Sequence, residues 1–441
     1  MTHPTYLPAT IMTGQWFPAY PDACGWTALL PPRRPTQPAA GAHTAKYAVI
    51  GAGYTGLAAA RRLSELDPAA KIIVLEASTA GEGSAARNSG FVSPRDIPTG
   101  TSQADLRSTE ALNRFSEEGF AWLLTLMERH GIDCGLRLTG RIKGAATDAG
   151  AAIVRTMRDT AAALGVAHDY LDRDAMEARI GSRYYQCGLF TGEGYLLQPA
   201  ALIQGLADAL PDNATLHENS PVTGLRRSGK WRVRTNAAEI TADIVVLATN
   251  AAVKNFGYLR DRLVTIYTYA AISAALAGSE QLHLGSMDHW GLLPSHRLGT
   301  TVRRVGVDRL MVRSLYGYER PLPPEQVQAT LLSCFHRRYP SLPHVGLDHV
   351  WGGTTALTIN GAPAWGQIGD QLYTSAGCNG AGIVKGTVLG KRLAEHITGQ
   401  NHHNDVRDAF GTASWVAPEP FRTIGFRIAS AIGRRRAGLE A

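Results

Sequence analysis

The stretch "VIGAGYTGLAAARRLSE" (residues 49–65) places Gly51, Gly53 and Gly56 between an apolar run, "KYAVI" (46–50), and an alanine-rich helical segment. In a GxGxxG turn the first glycine permits the tight bend, the second lets backbone approach a pyrophosphate, and the third allows close helix–strand packing. The helix that follows offers free N–H groups to phosphate charge. After "DPAA" comes a second apolar strand, "KIIVLEA" (71–77), ending in Glu76, about 25 residues beyond Gly51. A carboxylate there accepts hydrogen bonds from adenosine ribose hydroxyls and repels a 2′-phosphate, which disfavours NADP. Continuous apolar strands around a helix predict a buried parallel βαβ unit with a right-handed crossover. A strand-to-helix turn without ligand is the plainer alternative, and the device alone serves FAD and NAD equally.

The rest of the chain bounds the possibilities. Its 441 residues, 44% hydrophobic, suffice for two or three packed lobes. The formal charge of +7 comes from scattered residues, without the one-sided patch of a nucleic-acid binder, and it suits an acidic small-molecule substrate. Five cysteines, odd in number and widely spaced, form no CxxC or zinc pattern and read as reduced thiols, with no metal site. No signal-peptide pattern or membrane-spanning apolar run is present, so the expected location is cytoplasmic.

The expected fold class is α/β (α+β, two-domain): a Rossmann-like nucleotide-binding domain with an inserted mixed β-sheet substrate domain. Residues 1–42, with "WFPAYPDACGW" and "LLPPRRPTQP", read as an extended arm whose aromatic residues dock on the core. The nucleotide-binding domain is assigned to 43–100, 181–256 and 346–400. Residues 101–180, including the helical "ALNRFSEEGFAWLLTLMERHGI", and the β-rich 257–345 form the substrate domain. In the tail, 401–441, Ile424, Ile428 and Ile432 recur every four residues beside Arg434, Arg435 and Arg436. This amphipathic helix is expected to dock on the protein's own core, with contact to a membrane surface as the alternative.

A second glycine-rich loop before a helix, "SAGCNGAGIVKG" (375–386), supplies N–H donors where a flavin's N1–C2=O edge would sit, and an NAD enzyme leaves it unexplained. With "VIGAGYTGLAAARRL", "VLEA", "GSAARNSG", "ATN" at Ala248, "WGG" at Trp351 and "GCNGAGIVKGTVLGK", the chain resembles the D-amino acid oxidase superfamily of FAD-dependent amine oxidoreductases. The nearer likeness is to the branch containing gamma-glutamylputrescine oxidase, with glycine and sarcosine oxidases as more distant relatives. The resemblance implies non-covalent FAD. Gly51, Gly53, Tyr54, Thr55 and Gly56 would hold its pyrophosphate, and Glu76, followed by Ala77, its ribose. Ser84, Arg87, Asn88, Ser89 and Gly90 would line the diphosphate and the ring. Val222 would meet adenine through its backbone, and Ala248 and Thr249 would pass near the pyrophosphate. Gly380, Ala381, Gly382 and Ile383 would close over the pyrimidine side.

Family chemistry transfers the α-carbon hydride of an amine to the flavin and leaves an imine for water to hydrolyse. Protein groups align and desolvate the amine, and a dedicated base is not required. In sarcosine oxidases a lysine two places after the loop's last glycine binds the substrate carboxylate; here Val384 stands there, with Lys385 one later. One helical residue rotates a side chain by about 100°, so carboxylates adjacent to the amine become doubtful. The strand "RLVTIYTYAAIS" also lacks the lysine that assists O2 in several relatives, leaving O2 or another electron acceptor open. Substrate-pocket candidates are Tyr267, which shares a strand face with Tyr269, Arg313, with Arg303 and Arg304, for a remote carboxylate, and Trp351 beside two glycines. The expected function is oxidation of a primary or secondary amine, such as a gamma-glutamyl polyamine or opine-like compound. The alternatives are a glycine, sarcosine or D-amino acid oxidase, and a flavin-bearing subunit that needs a catalytic partner.

Overall fold

In a computed structural model, which describes residues 20, 22–98, 100–400 and 402–441, the "VIGAGYTG" turn lies at the centre of a parallel sheet. Strands Ala214–His217, Ile72–Leu75, Gly41–Ile50, Ala238–Leu247 and Leu372–Ala376 run side by side in that order, all parallel. Their apolar runs are buried throughout, as in Ile72 to Leu75 and Val245 to Leu247, which is why they pair as inner parallel strands. The edge of Ala238–Leu247 away from Gly41–Ile50 is shared. Its first half takes the antiparallel hairpin Gly224–Ser228 and Lys230–Arg234, its second half Leu372–Ala376. Gly229, at φ +70°, makes the hairpin turn where alternation through Trp231 predicts one.

Helices Tyr54–Leu66 and Gly382–Ile397 pack on this sheet and against each other. Gly390 sets their separation, because a Cβ there would stand 2.3 Å from the Thr55 carbonyl oxygen. Leu57, Leu63 and Leu393 are buried in one cluster with Ile72 and Val74 of the sheet, each worth roughly 1.5–3 kcal/mol.

A second sheet of eight strands is mixed, as the fold class predicts. Its order is Leu347–Leu357, Val264–Ser273, Arg309–Tyr318, Thr301–Val305, Gly291–Pro294, Arg141–Ala145, Cys187–Thr191 and His168–Asp172, with one parallel pair, Gly291–Pro294 on Arg141–Ala145. Two of these strands cross the bounds read from sequence. Cys187–Thr191 and Leu347–Leu357, assigned to the nucleotide-binding segments, are hydrogen-bonded inside the mixed sheet. Conversely, helix Gln103–His130, assigned to the substrate segments, lies on Gly382–Ile397, where a Cβ on Gly119 would meet Val384 O and Val388 Cβ at 2.9 Å. Neighbours in sequence suggested those bounds; the pairing partners are remote.

Of the arm, residues 1–19 lie outside the described residues. Beyond them Trp26 is buried, donates to Asn88 O (2.8 Å) and meets Trp351 edge-on at 6.0 Å. Arg33 bridges Asp208 and the fully buried Glu218. The tail corrects an expectation. Helix Phe421–Ala437 docks through Phe426, stacked on Tyr318 at 4.2 Å, and through Gly433 and Ala437, while Ile424, Ile428 and Ile432 face outward. Amphipathic spacing tells which residues share a face, not which face is covered. Among the described residues no helix is long and apolar enough to cross a membrane, no cluster of three His, Cys, Asp or Glu is placed to hold a metal, and all five cysteines are free thiols.

Candidate active site

Each group of proposed cofactor residues follows the carboxyl end of a parallel strand, where ligands bind in open α/β sheets. Gly51 to Gly56 follow Ile50, Glu76 and Ala77 follow Leu75, Val222 lies beyond His217, Ala248 and Thr249 follow Leu247, and Gly380 to Ile383 lie beyond Ala376. Backbone hydrogen bonds fix these loops in one line: Gly51 N donates to Leu75 O (2.8 Å), Ala248 N to Ile50 O (2.9 Å), and Ser220 N to Glu76 O (2.8 Å). The sequence therefore brings the distant motifs together. Val222 is buried in the turn before Gly224–Ser228, two residues from Ser220.

The chemistry of this edge fits a dinucleotide. Gly51, at φ +102°, would drive a Cβ to 2.9 Å from Ala248 O, and Gly56 would drive one to 1.9 Å from Gly51 O. Gly53 differs, since its Cβ would meet only Ala85 Cβ, at 3.3 Å. The residues capping the two helices at the site, Gly53 and Ala381, have no side-chain oxygen, whereas Ser102, Thr147, Asp172 and Gln198 cap helices elsewhere through side-chain bonds. Two N-termini at one edge are thus left for an anionic ligand. Thr249 Oγ1 is buried without a hydrogen-bond partner among the described residues. Glu76 accepts from Ala52 N (2.8 Å) and Ser78 N (3.2 Å); burial pushes its carboxyl pKa up, and the amides of Ala52, Ser78 and Ala77 offset this only in part.

Several motif side chains serve the scaffold instead. Tyr54 is buried in the core, so its contribution at the turn is its backbone, and Thr55 Oγ1 faces Gly386. Arg87 donates to Glu82 O, Gly352 O and Asp22 O, pairs with Glu82 and lies over the Tyr20 ring, 4.2 Å from its centroid. That guanidinium ties arm, loop and mixed sheet together, which leaves little of it to line a diphosphate. Asn88 closes its own turn, donating to Ala85 O (2.6 Å) and accepting from Gly90 N (2.7 Å). Ser89 O accepts from Arg303 Nη1 (2.9 Å), and Gly90, at φ +73°, leaves room for the same guanidinium. Ser84 Oγ bonds Thr354 Oγ1 (2.8 Å), and the Tyr20 hydroxyl joins both. Tyr20 and Thr354 carry no motif, and this hydroxyl cluster was invisible until three remote segments met.

Opposite residues across strands share a face of the sheet. Arg313, Ala270 and Trp351 form one rung across three strands of the mixed sheet, and Ala270 and Trp351 pack in the core shared with the nucleotide-binding residues. Trp351 is 1% exposed, donates to Arg87 O (3.2 Å) and packs on Gly25 and Trp26. Its indole fills core space, contrary to the expected place in an open pocket wall. Tyr267 and Tyr269 do share a face, the other one, on which Tyr267 stands across from Thr354, the partner of Ser84 and Tyr20. Tyr269 accepts from Leu322 N (2.6 Å), and both pack in the cluster of Leu331 and Phe335. Burial raises the Tyr267 phenol pKa, with Tyr20 the next contributor.

The arginines separate by partner. Arg304 is spent on the carbonyls of Val307 and Met287. Arg303 is sealed under Ser89, Leu197 and Trp26, with burial pushing its pKa down to about 9. Arg313 is half-buried, donates to Tyr316 Oη (2.7 Å) and has no carboxylate partner among the described residues.

Residues 46–396 match the family described as FAD dependent oxidoreductase (DAO). The chain is 26% identical over 387 residues to the gamma-glutamylputrescine oxidoreductase of Escherichia coli (strain K12), covering 82% of this chain and 85% of that one. It is also 26% identical to the probable oxidoreductase OrdL of Rhizobium meliloti (strain 1021), covering 86% and 90%. Among solved structures, glycine oxidase from Geobacillus kaustophilus superposes with a TM-score of 0.67 at 18% identity, over 84% of this chain and 99% of that one. NikD, described as an unusual amino acid oxidase essential for nikkomycin biosynthesis, superposes with a TM-score of 0.65 at 15% identity, over 86% and 99%. With the family match spanning the strand-end loops as well as the inserted sheet, this chain belongs to the DAO family of FAD-dependent oxidoreductases.

Proposed function

We propose that the chain oxidises a primary or secondary amine bearing a carboxylate remote from the reacting carbon, such as a gamma-glutamyl polyamine. Bound FAD supplies the acceptor for the hydride of the substrate's α-carbon, and water hydrolyses the resulting imine to a carbonyl compound and ammonia, from a primary amine, or an amine, from a secondary one. The chain's own part is to orient the substrate and exclude water.

Arg313 carries this reading. It is the half-buried arginine of the mixed sheet whose guanidinium lacks a carboxylate, on the face that packs toward the cofactor loops. A bidentate guanidinium matches a carboxylate in plane and charge. The place next to the closing loop offers no such cation: Val384 packs at Gly119, and Lys385 turns to Gly361 O (3.3 Å) and the Phe410 ring (4.9 Å). Similarity to a gamma-glutamylputrescine oxidoreductase supports the substrate class. Arg313→Met is expected to raise KM for a gamma-glutamyl amine by roughly 10- to 100-fold, the worth of a charged hydrogen bond, with kcat little changed. Steady-state kinetics on both proteins checks this, and an unchanged KM contradicts the assignment.

The flavin is proposed to be non-covalent. Cys378, the thiol nearest in sequence to the closing loop, lies between Asn250 Nδ2 and Thr355 Oγ1 at 3.3 Å each. Acid precipitation should leave FAD in the supernatant, read by its absorbance; a yellow pellet would mean a covalent link.

A further inference from the structure

The C-terminal helix is held firmly with its apolar side outward. At its start Phe426 stacks on Tyr318, and Arg422 pairs with Glu419 and donates to Arg260 O (2.9 Å). Beyond its end Glu440 is buried: Oε1 accepts from Ala146 N (2.7 Å) and Ser295 Oγ (2.9 Å), and its carbonyl accepts from Thr300 N (2.7 Å) and Arg338 Nη2 (3.1 Å). The opposite face presents Phe421, Ile424, Ile428 and Ile432, which are 68, 51, 57 and 47% exposed. Spacings of three and four residues set them in one continuous stripe. A clamped helix does not expose such a stripe through fraying, and contiguous exposed apolar surface marks an interaction site.

Charge selects the partner. The helix carries five arginines and no acidic residue. Arg427, Arg434, Arg435 and Arg436 are exposed and have no carboxylate partner among the described residues. An apolar stripe flanked by arginines suits a helix lying in a membrane interface, with isoleucines among the acyl chains and guanidinium groups at anionic headgroups. A second copy paired about a two-fold axis would set arginine-rich flanks against each other, with no carboxylate on the helix to offset the repulsion.

We propose that helix Phe421–Ala437 seats its isoleucine stripe on an anionic lipid bilayer surface, anchoring the enzyme peripherally.

The test is flotation of the full-length flavoprotein with phosphatidylglycerol–phosphatidylcholine vesicles and with pure phosphatidylcholine vesicles, at low and high salt. The wild type is expected to float with the anionic vesicles at low salt and to be released by high salt or by omitting the anionic lipid. Replacing Arg434, Arg435 and Arg436 together by Gln should weaken partitioning on the order of 100-fold, from about fivefold per arginine. Ile424→Ser/Ile428→Ser/Ile432→Ser should reduce binding to background. All variants should keep the wild-type melting temperature and flavin spectrum, since the replaced side chains lie on the exposed side of the helix. A wild type that stays unbound, or binds both vesicle types equally, overturns the proposal. So does a concentration-dependent oligomer, without vesicle binding, that the serine variant dissociates.

Discussion

Gly53→Val is expected to purify folded and colourless. Gly53 has φ −84°, which any L-residue adopts, and its Cβ would meet only Ala85 Cβ at 3.3 Å. The folded state accommodates the side chain at about 1 kcal/mol, the difference between glycine and a β-branched residue at a helix N-cap. The same side chain fills the space proposed for the diphosphate and blocks the N-terminus of Tyr54–Leu66. Overpacking of about 1–3 kcal/mol corresponds to a loss in FAD affinity of up to roughly 100-fold. Gly56→Ala is the contrasting variant: with Gly51 O only 1.9 Å from the new Cβ, it should fail to fold. Flavin absorbance per protein, read beside the melting transition, separates the two cases. A folded Gly53→Val protein with a full complement of flavin would remove Gly53 from the cofactor site.

Glu218→Ala should cost about 3–5 kcal/mol, the penalty for removing one partner of a buried ion pair. Glu218 is fully buried, takes Arg33 Nη1 on both oxygens (2.8 and 2.9 Å), and accepts from Thr36 N and Ala80 N at 2.6 Å each. Truncation strands the Thr36 and Ala80 amides and Arg33 Nη1, leaving the guanidinium to Asp208 alone and removing one tie between the arm and the sheet. Burial raises the Glu218 pKa, but the Ala80 and Thr36 amides and Arg33 outweigh it and hold the pKa below the usual 4.5. A carboxyl titrating lower when folded stabilises the fold fully above that unfolded value, and the contribution fades as pH falls through the folded one. Melting temperatures from neutral to acid pH should therefore converge for wild type and Glu218→Gln. A constant gap between the two would show that the charge of Glu218 is not what holds the arm.

The strand–turn–helix–strand unit that carries Gly51, Gly53, Gly56 and Glu76 was legible in the sequence because its pattern is local. The 377–383 loop was legible for the same reason. What escaped depends on partners far along the chain. Leu347–Leu357 precedes the closing loop in sequence yet pairs with Val264–Ser273, and nothing within "HVWGG" specifies that partner. "HENSP" gives no sign that Glu218 anchors Arg33. The Tyr20–Ser84–Thr354 cluster exists only once three segments converge. Trp351 has the flanking glycines of a ligand site, but Gly353 makes room for Arg87, and the indole itself packs against Gly25. Such signs of close approach do not reveal what approaches.

The most direct measurement is an anaerobic titration of the purified flavoprotein, followed in the visible, with gamma-glutamyl polyamines, opine-like amines, glycine, sarcosine and D-amino acids. Bleaching of the flavin band by an amine with a remote carboxylate, and little by those with an adjacent one, is the predicted result; admitting air then shows whether O2 serves as acceptor. A yellow protein reduced only by glycine, sarcosine or D-amino acids, or by no amine at all, would contradict it.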